Sequence, residues 1–341
     1  VFFLKKNDSA HKPTIFLHIG YNKTGTSFIQ KELSDNRKKL KKLGVLYPFC
    51  CSKYKAHYEL SGILGACLPS EKALYEQIDK VQAKNQLVEE IEKSKCSSII
   101  FSSEKFIRAE NLQPIKDFFD AYPLKIVVYL RRHDHWYESS YHQAIKTVVK
   151  PPWRRGFKAF YEFQKRTNAY ATSYRKLIDN WADTFGKDNL IIRPYERQQN
   201  DDNLTVDLLT ALGLEKAAKH IRWKNEKVNQ SYSITTTNYI EIFQRCNIDP
   251  ALRQKLIAYV IEQDAIKQPA QSLINPALRL HIIEENLADY AYIAGNYLGR
   301  TDNQLFYEPT PDPNELWKAP PPVYPVHAVE TVLTALGITS G

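Results

Sequence analysis

Four short runs along the chain are apolar at almost every position. Residues 14–20 read T-I-F-L-H-I-G, and 98–102 (S-I-I-F-S), 125–130 (K-I-V-V-Y-L) and 189–193 (N-L-I-I-R) repeat the pattern. β-Branched runs without polar alternation suit strands covered on both faces, as in a parallel sheet. Longer stretches of helical period separate them. Residues 27–43 bring Ile29, Leu33, Leu40 and Leu43 into helical spacing. Lys38, Lys39, Lys41 and Lys42 gather in the last turn, where they complement the helix dipole, and Gly44 supplies the stop. Residues 72–95, 135–148 and 168–186 predict further helices. Beyond Pro194 the strand signals fade, and 252–268 and 277–299 read as helical. Strand alternating with helix predicts an α/β fold, a three-layer sandwich with a central parallel sheet and a helical C-terminal portion. No linker divides the chain. The expected layout is a single domain with its core at about 13–200, a helical portion at about 201–308 and a proline-rich tail at about 309–341, extended over the surface from Pro309 to Pro325.

Composition fits that picture. Of 341 residues, 43% are hydrophobic and 25% charged, the balance of a globular protein rather than a disordered chain, a collagen-like fibre or a membrane bundle. Lys and Arg number 47 against 38 Asp and Glu, a net charge of +9 that favours anionic partners: nucleotides, nucleic acid, acidic glycans or an anionic membrane face. The five cysteines include the adjacent pair Cys50 and Cys51 but no C-x-x-C, which argues against a zinc site or thioredoxin-like centre. They read as reduced packing residues of a cytosolic protein. No apolar run approaches the roughly 18–20 residues that span a bilayer. The apolar start V-F-F-L is too short for a signal-peptide core before Lys5 and Lys6. The expected location is cytoplasmic, or peripheral to the inner membrane.

The most informative segment follows the first predicted strand: His18-Ile19-Gly20-Tyr21-Asn22-Lys23-Thr24-Gly25-Thr26-Ser27. A strand–loop–helix unit aims free backbone N–H groups at the helix N-terminus and favours a bound phosphate. Gly20 and Gly25 let the backbone bend closely around an anion, Thr24, Thr26 and Ser27 add hydroxyls, and Lys23 adds a mobile charge. The spacing of the two glycines matches the nucleotide-triphosphate loop G-x-x-x-x-G-K-[ST], but the residue after Gly25 is Thr26 and the lysine lies inside the loop at position 23. An ATPase or kinase using this loop would lack its β/γ-phosphate lysine.

Lys23-Thr24-Gly25-Thr26-Ser27 instead resembles the phosphosulfate loop K-[ST]-G-T-[ST] of sulfotransferases, whose P-loop-like fold is related to that of nucleotide kinases. The stretch H-I-G-Y-N-K-T-G-T-S-F-I-Q is similar to the bacterial branch of that family. The family's second motif is an arginine after a core strand with a serine eight positions on, both binding the 3′-phosphate of the nucleotide. Arg131 and Ser139 have that spacing, as do Arg132 and Ser140; the place directly after the strand favours Arg131 with Ser139. A planar guanidinium and a helix-borne hydroxyl suit a phosphate. The resemblance covers about 14–195, with weaker likeness in E-N-L-A-D-Y-A-Y-I-A-G-N-Y-L-G near the C-terminus. A glycine-rich R-K-G-x-x-G segment of the cytosolic members is absent. Arg193-Pro194-Tyr195-Glu196 and Asn229-Gln230-Ser231 resemble bacterial segments, and Tyr195 is carried as a nucleotide contact.

The resemblance implies 3′-phosphoadenosine 5′-phosphosulfate (PAPS) as donor and adenosine 3′,5′-bisphosphate as product, with no metal. The acceptor implied is a hydroxyl or amine on a carbohydrate or glycolipid. Lys23 would neutralise charge on the leaving phosphate oxygen, and Lys23, Thr24, Gly25, Thr26 and Ser27 would hold the 5′-phosphate. A general base must take the acceptor's proton. Glu104, just past the second core strand, falls where the cytosolic members place their histidine; His18 is the rival, and His133 and His135 are remoter candidates. Residues 150–166 interleave bases with aromatics and read either as a lid over sugar rings or as a helix start burying Phe157, Phe160 and Phe163. Two other classes stand beside a sulfotransferase: a nucleotide-dependent kinase with an altered loop, and a basic nucleic-acid-binding protein, which rests on charge alone. No nucleic-acid partner is expected.

Overall fold

The computed structural model describes residues 12–168, 172–200, 203–224, 232–264, 272–318 and 325–337. Five parallel strands form one sheet: β1 (Thr14–His18), β2 (Val45–Leu46), β3 (Ser98–Ser102), β4 (Leu124–Leu130) and β5 (Leu190–Pro194), in the order β2-β3-β1-β4-β5. Register is continuous through the centre: Phe16 lies beside Ile100 of β3 and Lys125 of β4, and His18 beside Ser102 and Val127. The four apolar runs are therefore four of the five strands. The fifth, β2, is only two residues at the sheet edge, too short for a periodic signal.

Contacts group the chain into two compact units, each drawn from separate stretches. The first takes in the described residues among 1–131, 173–226 and 289–307; the second, those among 132–172, 227–288 and 308–341. The first unit holds the whole sheet. On one face Phe16, Ile100, Val127 and Tyr129 pack against Ile29 and Leu33 of the helix Thr26–Asp35, Leu40 of Arg37–Lys42, and Leu208 and Leu209 of Leu204–Ala211. Alternate strand residues point to the other face, where Phe101 meets Phe119 at 5.4 Å and the helices Gln113–Phe118 and Tyr174–Phe185 pack together. The fold is α/β with a parallel sheet between helical layers.

Several predicted helices are interrupted where a residue competes for the backbone. The 27–43 stretch divides at Asn36, whose side-chain amide donates to the Glu32 carbonyl at 3.0 Å. The 72–95 stretch divides before Asp79, whose carboxylate accepts the Val81 and Gln82 N–H groups and caps Lys80–Ser94. Ser173 caps Tyr174–Phe185, with 169–171 of the expected stretch outside the described residues, and 277–299 divides into Pro276–Glu284 and Leu287–Leu298. Such local side-chain bonds are what makes Ser, Asn and Asp helix boundaries.

The helix Leu204–Ala211 is fixed to the sheet by one buried carboxylate. Asp207 accepts from Tyr129 of β4 at 2.5 Å and from Arg193 of β5 at 2.5 Å. Burial beside this carboxylate pushes the Tyr129 hydroxyl well above its ordinary pKa. Asp207→Ala strands the half-buried Arg193 cation and the buried Tyr129 hydroxyl, and is expected to cost about 2–3 kcal/mol, read from urea denaturation at constant m-value.

The second unit is helical. Its helix His133–Thr147 buries Trp136, Tyr137 and Tyr141, and Phe157–Thr167 buries Phe157, Phe160 and Tyr161. Tyr141 meets Phe157 and Phe160, and Trp153 meets Phe160 at 5.2 Å. The aromatics of 150–166 are thus largely core, Phe163 against Trp153 included, while Arg154, Arg155 and Lys158 face solvent. The stretch 309–318 is without helix or strand and mostly exposed. Among the described residues no helix is long and apolar enough to cross a membrane.

Candidate active site

The strand order sets where a ligand can enter. From β1 the chain passes to β2 and β3 on one side, then crosses to β4 and β5 on the other, so the loop leaving β1 lies where the connections change direction. In open α/β sheets that crevice, outside the strands' C-terminal ends, is the binding position. Residues 19–25 occupy it, and the helix Thr26–Asp35 starts directly beyond.

Three positive φ angles shape the loop: Gly20 at 51°, Lys23 at 67° and Gly25 at 75°. Left-handed residues among right-handed ones turn successive N–H groups inward, the geometry of an anion nest. Lys23 holds this conformation without glycine's freedom, a strained state of the kind found at functional sites. The two glycines have steric reasons as well. A Cβ on Gly20 would come within 2.9 Å of the Thr26 methyl and 3.2 Å of the Glu104 backbone, and one on Gly25 would collide with Leu204. No side chain caps the helix that follows, so its first N–H groups at Thr26 and Ser27 have neither a capping oxygen nor a carbonyl a turn earlier. Ser27 is exposed and Lys23 half-buried.

Thr26 and Glu104 meet here from elements far apart in sequence. The Thr26 hydroxyl donates to Glu104 Oε2 at 2.8 Å, and the Tyr58 hydroxyl donates to Oε1 at 3.2 Å. Glu104 lies two residues beyond β3, at the mouth of the sheet. Arg131 directly follows β4; its Nη1 donates to the Lys23 carbonyl at 2.8 Å, and its guanidinium lies 5.4 Å from the Tyr195 ring centre. The Tyr174 hydroxyl in turn donates to the Arg131 carbonyl. Lys23, Gly25, Thr26, Glu104, Arg131 and Tyr195 therefore gather around one loop within the first unit.

Other candidates lie elsewhere. Thr24 is fully buried and its hydroxyl donates to the Tyr21 carbonyl, so its side chain serves the loop itself. His18 points under the helix: its Nδ1 is 2.8 Å from the Ser102 hydroxyl, which also accepts from Gln30. Complete burial brings its pKa down to about 4, so it is neutral at physiological pH. Of the two arginine registers, Arg132 makes a bidentate pair with buried Asp134 and also donates to the Glu308 and Pro309 carbonyls, whereas Arg131 reaches the loop. Ser139 and Ser140 sit on His133–Thr147 in the second unit, both half-buried. His133 is enclosed there, and His135 faces Glu308 at 2.9 Å. Asn229, Gln230 and Ser231 lie outside the described residues.

Sequence reasoning missed Tyr58, Tyr174 and Leu204. Tyr58 opens the helix Tyr58–Ile63 in a stretch with no periodic signal, and nothing local to it points at Glu104. Leu204 and Tyr174 are ordinary helix residues whose partners are set by chain crossings alone.

No family model matches the chain. An uncharacterized protein of Archaeoglobus fulgidus is 32% identical over 170 residues, 49% of this chain and 44% of that protein, so the chain spans less than half the length of the curated relative it matches. Among solved structures, the crystal structure of a sulfotransferase from Alicyclobacillus acidocaldarius aligns over 80% of this chain and 95% of its own, at 15% identity and a TM-score of 0.41.

Proposed function

We propose that the chain is a sulfotransferase that moves a sulfuryl group from PAPS to a hydroxyl or amine of a carbohydrate or glycolipid acceptor. The observation that carries this reading is the phosphosulfate-type loop Lys23-Thr24-Gly25-Thr26-Ser27 at the reversal point of the sheet, with Arg131 of the neighbouring strand end bonded to its backbone. A P-loop lysine is absent at position 26; the hydroxyl there engages a carboxylate instead, which supplies no charge to a triphosphate.

In this reading the helix N-terminal amides, that of Thr26 among them, and the Ser27 hydroxyl hold the 5′-phosphate, and Lys23 stabilises the negative charge that grows on the bridging oxygen as the sulfuryl group leaves. In-line sulfuryl transfer resembles phosphoryl transfer in depending on position and charge more than on covalent chemistry. Arg131 takes the 3′-phosphate, and Tyr195 flanks the nucleotide. Thr24 contributes its backbone N–H. Glu104 is the base for the acceptor's proton: it stands at the mouth of the sheet, whereas His18 is enclosed beneath the first helix.

A ligand panel tests the assignment. At 100 times its Kd, adenosine 3′,5′-bisphosphate is expected to stabilise the chain by about 2.7 kcal/mol, read as a rise in Tm, with adenosine 5′-phosphate giving less. A larger rise with ATP and magnesium, followed by ATP hydrolysis, would make the chain a kinase-type enzyme. Steeply salt-dependent binding to generic DNA without any nucleotide effect would leave only the basic surface.

A further inference from the structure

Cys50 and Cys51 are neighbours in space as well as in sequence. Their sulfurs lie 3.4 Å apart, and both residues are half-buried. They sit in a turn of unusual backbone, with Cys51 at φ 57°, Tyr54 at 53° and Lys55 at 72°. The turn is anchored before and after the pair. The Glu90 carboxylate accepts the Phe49 and Cys50 N–H groups at 2.8 and 2.9 Å, and the Cys51 carbonyl accepts the Leu60 N–H at 3.3 Å. Leu60 belongs to the helix Tyr58–Ile63, whose first residue bonds Glu104.

We propose that Cys50 and Cys51 form a two-electron redox site that closes to a vicinal disulfide and thereby loosens the helix Tyr58–Ile63. Ring closure draws the sulfurs from 3.4 Å to about 2.05 Å. Adjacent Cα atoms are only about 3.8 Å apart, below the usual disulfide range, so the closed ring is strained and easily reduced. Strained, accessible disulfides are the labile and regulatory ones. The hydrogen bond shared by the two sulfurs holds the Cys50 thiol below its ordinary pKa and raises that of Cys51. Cys50 is therefore the attacking thiolate.

The oxidant is a small-molecule disulfide such as oxidised glutathione. Cys50 thiolate attacks one of its sulfurs, breaking that S–S bond and releasing one glutathione thiolate. Cys51 then loses its proton and attacks the Cys50 sulfur of the mixed disulfide, expelling the second glutathione. The two protein thiols lose two electrons and two protons, and the small disulfide gains them. Closure changes the torsions of the Cys50–Cys51 unit and with them the carbonyl that holds Leu60. Any consequence for turnover rests on the sulfotransferase reading of Glu104; the redox site itself does not.

Trypsin leaves both cysteines in one peptide, residues 43–53. In excess oxidised glutathione this peptide of the full chain is expected to lose two hydrogens' mass, and dithiothreitol to restore them. Cys51→Ser should instead retain glutathione on Cys50, and Cys50→Ser should form no ring. Amide hydrogen exchange at Leu60 should speed up by about tenfold on closure, and stay unchanged in Cys50→Ser under the same treatment. Two persistent thiols, a stable glutathione adduct on the unaltered chain, or a bond to Cys67, Cys96 or Cys246 would overturn the redox site. A closed ring with unchanged exchange at Leu60 would overturn the loosening. Neither readout depends on catalysis, so failure here is separable from failure of the proposed function.

Discussion

Glu104→Gln is expected to lower sulfuryl transfer by about three orders of magnitude while leaving affinity for adenosine 3′,5′-bisphosphate within about twofold. The carboxylate accepts from Thr26 at 2.8 Å and from Tyr58 at 3.2 Å. Glutamine keeps the size of the side chain and a carbonyl oxygen for Thr26, and its amide can donate to the Tyr58 hydroxyl. What it loses is the capacity to take a proton. Steady-state turnover with PAPS and a hydroxyl acceptor, beside calorimetric binding of the bisphosphate, separates the outcomes. Unchanged turnover would remove Glu104 as the base. A parallel loss of binding would mean that the carboxylate acts by holding Thr26 in the loop. Tyr58→Phe, which removes one hydrogen bond to the same carboxylate, should cost turnover far less.

Arg131→Ala should weaken bisphosphate binding by about 30–100-fold, the loss of a charge-assisted bond to phosphate, and weaken adenosine 5′-phosphate binding much less. The comparison matters because Arg131 has two roles in this reading. Its Nη1 bonds the Lys23 carbonyl, which steadies a loop residue at φ 67°, and its guanidinium is also the proposed partner of the 3′-phosphate. If the two nucleotides lose affinity equally, Arg131 works through the loop. A loss confined to the bisphosphate places its effect on the 3′-phosphate. Arg131→Lys keeps the charge without the planar fork and should recover only part of the difference.

The lysine, threonines and glycines of the loop were legible because strand–loop–helix chemistry is local: all its parts lie within ten residues, from His18 to Ser27. Four strands were legible for the same reason, since burial on both faces writes itself into consecutive apolar residues. The edge strand Val45–Leu46 and the helices Leu204–Ala211, Glu215–His220 and Ile234–Arg245 were not; they are short or lack a clear period. The aromatics of 150–166 show the same limit. Their spacing fits both a packed helix and a stacking surface, and only their neighbours Tyr141 and Trp153 distinguish the two.

By itself the sequence determined the α/β class, the parallel central strands and the anion-suited turn after the first of them. These depend on residues close together in the chain, where periodicity and backbone stereochemistry act. The tertiary structure alone decided that Arg131 bonds the Lys23 carbonyl, that His18 is shut beneath a helix, and that Tyr58 and Thr26 converge on Glu104. Those choices follow from strand order. Parallel neighbours such as β1 and β3 bring together residues some eighty positions apart, and no local pattern records which side chains a crossover will set face to face.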